Sequence, residues 1–133
     1  MKEKTYTQTE LDAILKYKGY TEVKPNIITT TSQLDELFLN KIVLVRTYSA
    51  GVFYGTLIAK NGKQGLLHKA RRLWKWAGAF SLSELATIGT TDPENCKFST
   101  ASHEVLLEEV IEINMISDTA LRTLNEVKDY VTR

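Results

Sequence analysis

Apolar residues recur along this chain with two different periods, and the change between them falls near residue 41. Before it, Leu11, Ile14, Leu15 and the stem of Lys18 follow the three-and-four spacing of one helix face. Thr9 stands as an N-cap, Glu10 and Asp12 lie in the first turn, and Gly19 is a natural stop. Residues 20–23 read as extended ahead of Pro25, the β-branched stretch 27–31 as a short strand, and residues 32–38 as a brief helix capped by Thr31 or Ser32.

Beyond residue 41 the pattern becomes that of a sheet. Residues 42–48 and 52–59 are rich in β-branched and aromatic side chains, with Ser49-Ala50-Gly51 as the turn between them. Asn61-Gly62 predicts a tight type I′ hairpin, with positive φ at both residues, leading into a third strand over 63–76. Ser81-Leu82-Ser83-Glu84 has capping-box spacing and opens a short helix that Gly89 ends. Residues 103–113 read as one long strand returning to the meander. Ser117-Asp118 then caps a last helix with Leu121, Leu124 and Val127 on its inner face, and a spare apolar stripe there would serve as a dimer seam. The expected fold class is α+β: an antiparallel β-meander sheet with short helices and a C-terminal amphipathic helix. Residues 1–40 form an N-terminal helical extension and residues 41–133 a single α+β domain that carries the ligand site.

Composition narrows the picture. The chain has 133 residues, 43% hydrophobic and 25% charged, enough for one domain with a real core. A net charge of +1 excludes a bulk field that gathers polyanions, so any affinity for phosphate must come from a local patch. The single cysteine, Cys96, cannot form an intrachain disulfide and reads as a small buried hydrophobe. No apolar run reaches membrane-spanning length, and Met1-Lys2-Glu3-Lys4 has no apolar segment behind it. The expectation is a soluble cytoplasmic protein.

One stretch concentrates chemistry. Lys69-Ala70-Arg71-Arg72-Leu73-Trp74-Lys75-Trp76 holds four of the 17 basic residues and both tryptophans. Arginine offers a planar fork of donors for phosphate oxygens, and tryptophan the best face for stacking a base or a cation. If extended, the stretch puts Arg72, Trp74 and Trp76 on one face and Arg71, Leu73 and Lys75 on the other. If helical, it stacks Arg71 on Lys75 and Arg72 on Trp76. The competing reading makes the tryptophans core and the cations a solvated rim. The helix start at Ser81 is a second place where phosphate can meet free N–H groups, although such a cap ordinarily does no more than begin its helix.

Signs of catalysis are missing. His68 and His103 have no nucleophile-and-carboxylate pattern beside them, and His68 reads as lining a polar strand face. There is no zinc spacing, P-loop or dinucleotide glycine fingerprint, and Glu104, Glu108, Glu109 and Glu112 read as a solvated strand edge. The expectation is therefore a binding protein with no catalytic residue, cofactor or metal.

Several separated blocks carry a resemblance. They are Val45-Arg46-Thr47-Tyr48-Ser49-Ala50-Gly51-Val52, the run from Ala70 to Trp76 with Gly78-Ala79, Ser81-Leu82-Ser83-Glu84-Leu85-Ala86, Cys96-Lys97-Phe98 and Glu109-Val110-Ile111-Glu112-Ile113. In this order, across roughly residues 41 to 127, they resemble a family of small phage and prophage proteins long filed as a domain of unknown function, the first Thoeris anti-defence family. Members of that family are viral sponges that bind cyclic ADP-ribose isomers made by bacterial TIR-domain enzymes and keep the signal from its effector. The resemblance implies the cytoplasm of an infected bacterium, a cyclic ADP-ribose isomer or related cyclic nucleotide as partner, and a homodimer or higher homo-oligomer. Lys75 stands where the family leads one to expect an aromatic residue, and Phe80 where one expects a small one. For such a ligand, Arg46, Arg71 and Arg72 suit the diphosphate, and Trp74, Trp76, Tyr48 or Phe98 suit the adenine. The alternatives are a phage accessory protein that binds single-stranded nucleic acid, or one that binds a host protein.

Overall fold

The computed structural model describes residues 32–132. The helix and strands expected before residue 32 lie outside the described residues. Residues Thr31–Arg133 make one compact unit, so the short helix α1 (Gln33–Glu36), capped by Ser32, belongs with the sheet that follows it. Phe38 and Leu39, just past α1, pack onto that sheet, and the Asn40 N–H donates to Leu57 O at 2.6 Å.

Six strands follow in one antiparallel sheet: β1 (Ile42–Thr47), β2 (Val52–Asn61), β3 (Gln64–Lys75), β4 (Lys97–Phe98), β5 (Ser102–Leu107) and β6 (Val110–Met115). Their order is β4-β3-β2-β1-β6, with β5 joining the edge of β3 alongside β4. Helix α2 (Leu82–Thr87), a 3-10 turn (Pro93–Asn95) and helix α3 (Asp118–Asn125) complete the described chain. The α+β class and the meander of β1, β2 and β3 are as the pattern predicts. No described helix is long and apolar enough to cross a membrane.

Two expectations need correction. The β2–β3 hairpin pairs Asn61 with Gln64, so its loop is Gly62-Lys63, with Gly62 at φ +61 and Lys63 outside the left-handed region. Glycine in the first central position alone supplies the positive φ, which makes this a II′ arrangement. The long strand over 103–113 is broken as well. Leu107 and Val110 are buried in the same core with two exposed glutamates between them, whereas a straight strand sends such residues to opposite faces. The chain turns at Glu108-Glu109, so β5 pairs with β3 while β6 pairs with β1. The two outer partners of the meander are therefore halves of one bent segment.

That bend gives the sheet two buried faces. Val43, Leu44 and Val45 are all sealed, which needs cover on both sides. One core is lined by strands: Val43, Val45, Phe53, Leu57, Leu67, Ala70, Leu107 and Val110. The other lies under the helices and joins Leu44, Tyr54, Leu73, Leu85, Phe98, Ala120, Leu124 and Val127. At six and eight residues, α2 and α3 are too short to persist alone. Burying Leu85 and Leu124, at about 1.5–3 kcal/mol each, is what holds them. The apolar stripe of α3 is thus occupied by the sheet and leaves no spare seam.

Candidate functional site

A groove forms where the β1–β2 turn faces the end of β3. It has a volume of about 550 Å³ and is lined by Ser49, Ala50, Gly51, Val52, Arg72, Leu73, Trp74 and Trp76. None of these eight residues is acidic.

The turn is a built wall. Buried Thr47 donates its hydroxyl to Gly51 O at 2.8 Å, and the same oxygen accepts from the Thr47 N–H at 3.0 Å. Thr47 Oγ1 in turn accepts from the Ala50 N–H at 2.9 Å. Gly51 sits at φ +99, a conformation side-chain-bearing residues avoid. From the bend after β5, Glu109 holds the turn by accepting from the Ser49 hydroxyl at 2.6 Å and, through its backbone oxygen, from the Tyr48 N–H at 2.9 Å.

Opposite this wall, Arg72 is fixed through its backbone. Its N–H donates to Ser99 Oγ at 2.8 Å, and its carbonyl accepts from the Ser99 N–H at 2.9 Å. Its guanidinium lies 4.7 Å over the ring of Phe53, its cross-strand neighbour, and 6.0 Å from that of Trp74. Arg72 Nε is buried and has no hydrogen-bond partner among the described residues. A buried donor on a charged group is costly to leave unpaired, and the two ring faces beside it offset only part of that cost.

The seven residues expected from the sequence do not gather as one set. Arg72, Trp74 and Trp76 meet in the groove. Trp74 is 69% exposed, free to stack, while Trp76 is half-buried and packs against the helix-covered core. Trp76 and Val52 form the ridge to a second hollow of about 380 Å³, where Arg46 pairs with Glu112 at 3.6 Å. Tyr48 is 78% exposed beside the wall.

Arg71 and Phe98 are elsewhere. Arg71 is only 9% exposed. Its nitrogens donate to Ser99 O, Tyr54 Oη, Leu124 O and Val127 O at 2.9–3.3 Å, and Nη2 pairs with Asp129 at 3.0 Å. All five guanidinium donors are engaged, so none remains for a diphosphate. Phe98 is fully buried, with Arg71 over its ring at 5.1 Å and Tyr54 edge-on at 6.0 Å. Alternation along β3 separates the two arginines: Arg72 faces the groove and Arg71 the helices. Burial raises the Tyr54 hydroxyl above its ordinary pKa of 10.0, and the Arg71 guanidinium partly opposes that shift.

The N-terminus of α2 is not an anion site. Ser81 Oγ accepts from the Glu84 N–H at 3.1 Å, and the Glu84 carboxylate takes the Phe80 N–H at 2.8 Å, placing negative charge where a phosphate would come. The sequence reads residues 49–51 only as a turn. Their role as a wall becomes visible through Thr47 and Glu109, which sequence spacing does not connect.

No curated protein and no solved structure matches the chain. A family match covers residues 40–124, from the first sheet residues into α3. The chain belongs to the family described as Domain of unknown function (DUF6948).

Proposed function

We propose that this groove binds a cyclic ADP-ribose-type signalling nucleotide and sequesters it intact, as a viral sponge against TIR-based (Thoeris) immunity in the cytoplasm of an infected bacterium. The observation that carries the reading is Arg72: a guanidinium set beside the exposed face of Trp74, in a groove with no acidic residue in its lining. A diphosphate oxygen pairs with the outer guanidinium nitrogens, and an adenine covers the indole.

Magnitudes refine the proposal. One stacked base contributes about 1–3 kcal/mol and one charge-assisted hydrogen bond about 1.5–3 kcal/mol. Their sum falls short of the roughly 8 kcal/mol of a micromolar complex, before any ordering cost. Tight sequestration therefore needs further cations. Arg46 in the adjoining hollow supplies one, and in the homodimer or larger homo-oligomer that we propose a second copy of the chain across the open groove supplies others. Native mass spectrometry of the protein mixed with cyclic ADP-ribose isomers tests the idea directly. The expected result is an oligomer carrying one ligand mass per groove, released chemically unchanged on heating. Absence of a retained mass, or recovery of a linear product, refutes it.

A second reading, binding of single-stranded nucleic acid, is favoured by one observation. Lys75 and Lys97 are paired across the β3–β4 edge beside Trp74, which extends the basic surface beyond the groove. Salt-sensitive retention of single-stranded DNA, with no uptake of the cyclic nucleotides, would select it.

A further inference from the structure

A second cluster of ligating side chains lies further along β3, about 20 Å from Trp74 at strand spacing. His68 on β3 pairs in register with Glu104 on β5, and His68 Nδ1 stands 4.0 Å from Glu104 Oε2. An ordinary cross-strand ion pair accounts for those two residues. It does not account for His103, whose ring packs edge-on 5.1 Å from that of His68.

Consecutive residues of a strand normally point to opposite faces, so His103 and Glu104 should not both reach one neighbour. The backbone here supplies the exception. Lys69, which the pairings His68↔Glu104 and Ala70↔Ser102 set opposite His103, takes a left-handed φ of +54. The β2–β3 register shifts at the same place. A left-handed lysine within a strand is strained, and such bulges re-aim side chains. Here two imidazoles and a carboxylate converge, with one donor atom from each lying within 4.8 Å of the others.

We propose that His68, His103 and Glu104 form a binding site for a divalent transition-metal cation, zinc in particular. Two imidazoles and one carboxylate are a donor set that zinc accepts while keeping a fourth position open. Bonds of about 2.0–2.1 Å in a tetrahedral site place donor atoms about 3.4 Å apart. The cluster reaches that spacing by small rotations of His103 and Glu104, both exposed and free to turn. The two histidines are far apart in the chain, which is why their spacing shows no metal motif. Because no residue is shared with the groove, this site stands or falls independently of nucleotide binding.

The test uses the full chain without a histidine tag, stripped with a chelator and titrated with Co²⁺ and then Zn²⁺. One equivalent of cobalt is expected to give intensified visible absorption bands that zinc abolishes. His68→Gln and His103→Gln should each weaken zinc binding at least about tenfold. Zinc should raise the melting temperature of the wild type and leave that of the double variant unmoved. Melting of the metal-free variants at the wild-type temperature shows that they fold. No saturable uptake by the wild type, or equal uptake by the folded double variant, overturns the proposal.

Discussion

Replacing Arg71 with methionine keeps an unbranched stem and deletes the guanidinium that ties β3 to the end of α3. The magnitude can be built from its contacts. Leu124 O keeps another donor in the Val127 N–H at 3.2 Å, and Tyr54 Oη keeps Asn125 Oδ1 at 3.0 Å. Ser99 O and Val127 O lose the Arg71 donors at 3.0 and 2.9 Å. Two such carbonyls cost about 1–2 kcal/mol each. The cation lying over Phe98 and Tyr54 adds about 1 kcal/mol. The pair with Asp129, whose side chain is 48% exposed, adds little. The total is about 3–5 kcal/mol, a large share of the roughly 5–15 kcal/mol available to a domain. Urea unfolding followed by circular dichroism should move its midpoint down by about 1.5–2.5 M at a slope near 2 kcal/mol per molar. Arg71→Lys, with three donors in place of five, should fall between. A midpoint shift of Arg71→Met below about 0.5 M would refute the structural role. So would an Arg71→Lys protein that melts like the wild type yet no longer retains the nucleotide, since that result places Arg71 at the ligand.

Other consequences are open to the same kind of check. Arg72→Met and Trp74→Ala should each lower retention of the cyclic nucleotide by at least about tenfold in a ligand-binding titration, with melting temperatures within a few degrees of wild type. Glu109→Gln should loosen the wall at Ser49, giving a several-fold loss of affinity with less than about 1 kcal/mol of lost stability, measured by the same titration and by urea unfolding. Tyr54 holds its proton more firmly when folded than when unfolded. Its contribution to stability is therefore complete below the ordinary tyrosine value of 10.0 and is lost as pH rises through the higher folded value. Thermal melts above that pH should show the wild type declining more steeply than Tyr54→Phe; parallel declines would refute this assignment.

The meander was legible because each signal was local: β-branched runs, Gly62, and Ser81 and Ser117 as caps. The bend at Glu108-Glu109 was not, because a run with a polar pair inside it reads the same in a straight strand as at a corner. The arginine pair shows the same limit. Strand alternation correctly separates Arg71 from Arg72, but only the position of α3 decides which of them is enclosed. Of the groove, the cation and the indoles were evident from composition. The wall was not, since it depends on Glu109 reaching back to Ser49 from a distant part of the chain. Phe98 looked available for stacking because a lone aromatic after a loop carries no sign of whether helices will cover it.

The pairing of β1 with β6, Val43 opposite Met115, also bears on how the protein is made. During translation, β1 leaves the ribosome about 70 residues before its partner exists, an interval of several seconds at about 5–20 residues per second. Throughout that time the nascent meander presents an unprotected, strongly apolar border, open to chaperones or to neighbouring nascent chains. A message truncated ahead of Val110 leaves the product permanently in that state, so nonsense mutations between the codons of Asn61 and Val110 should yield insoluble protein.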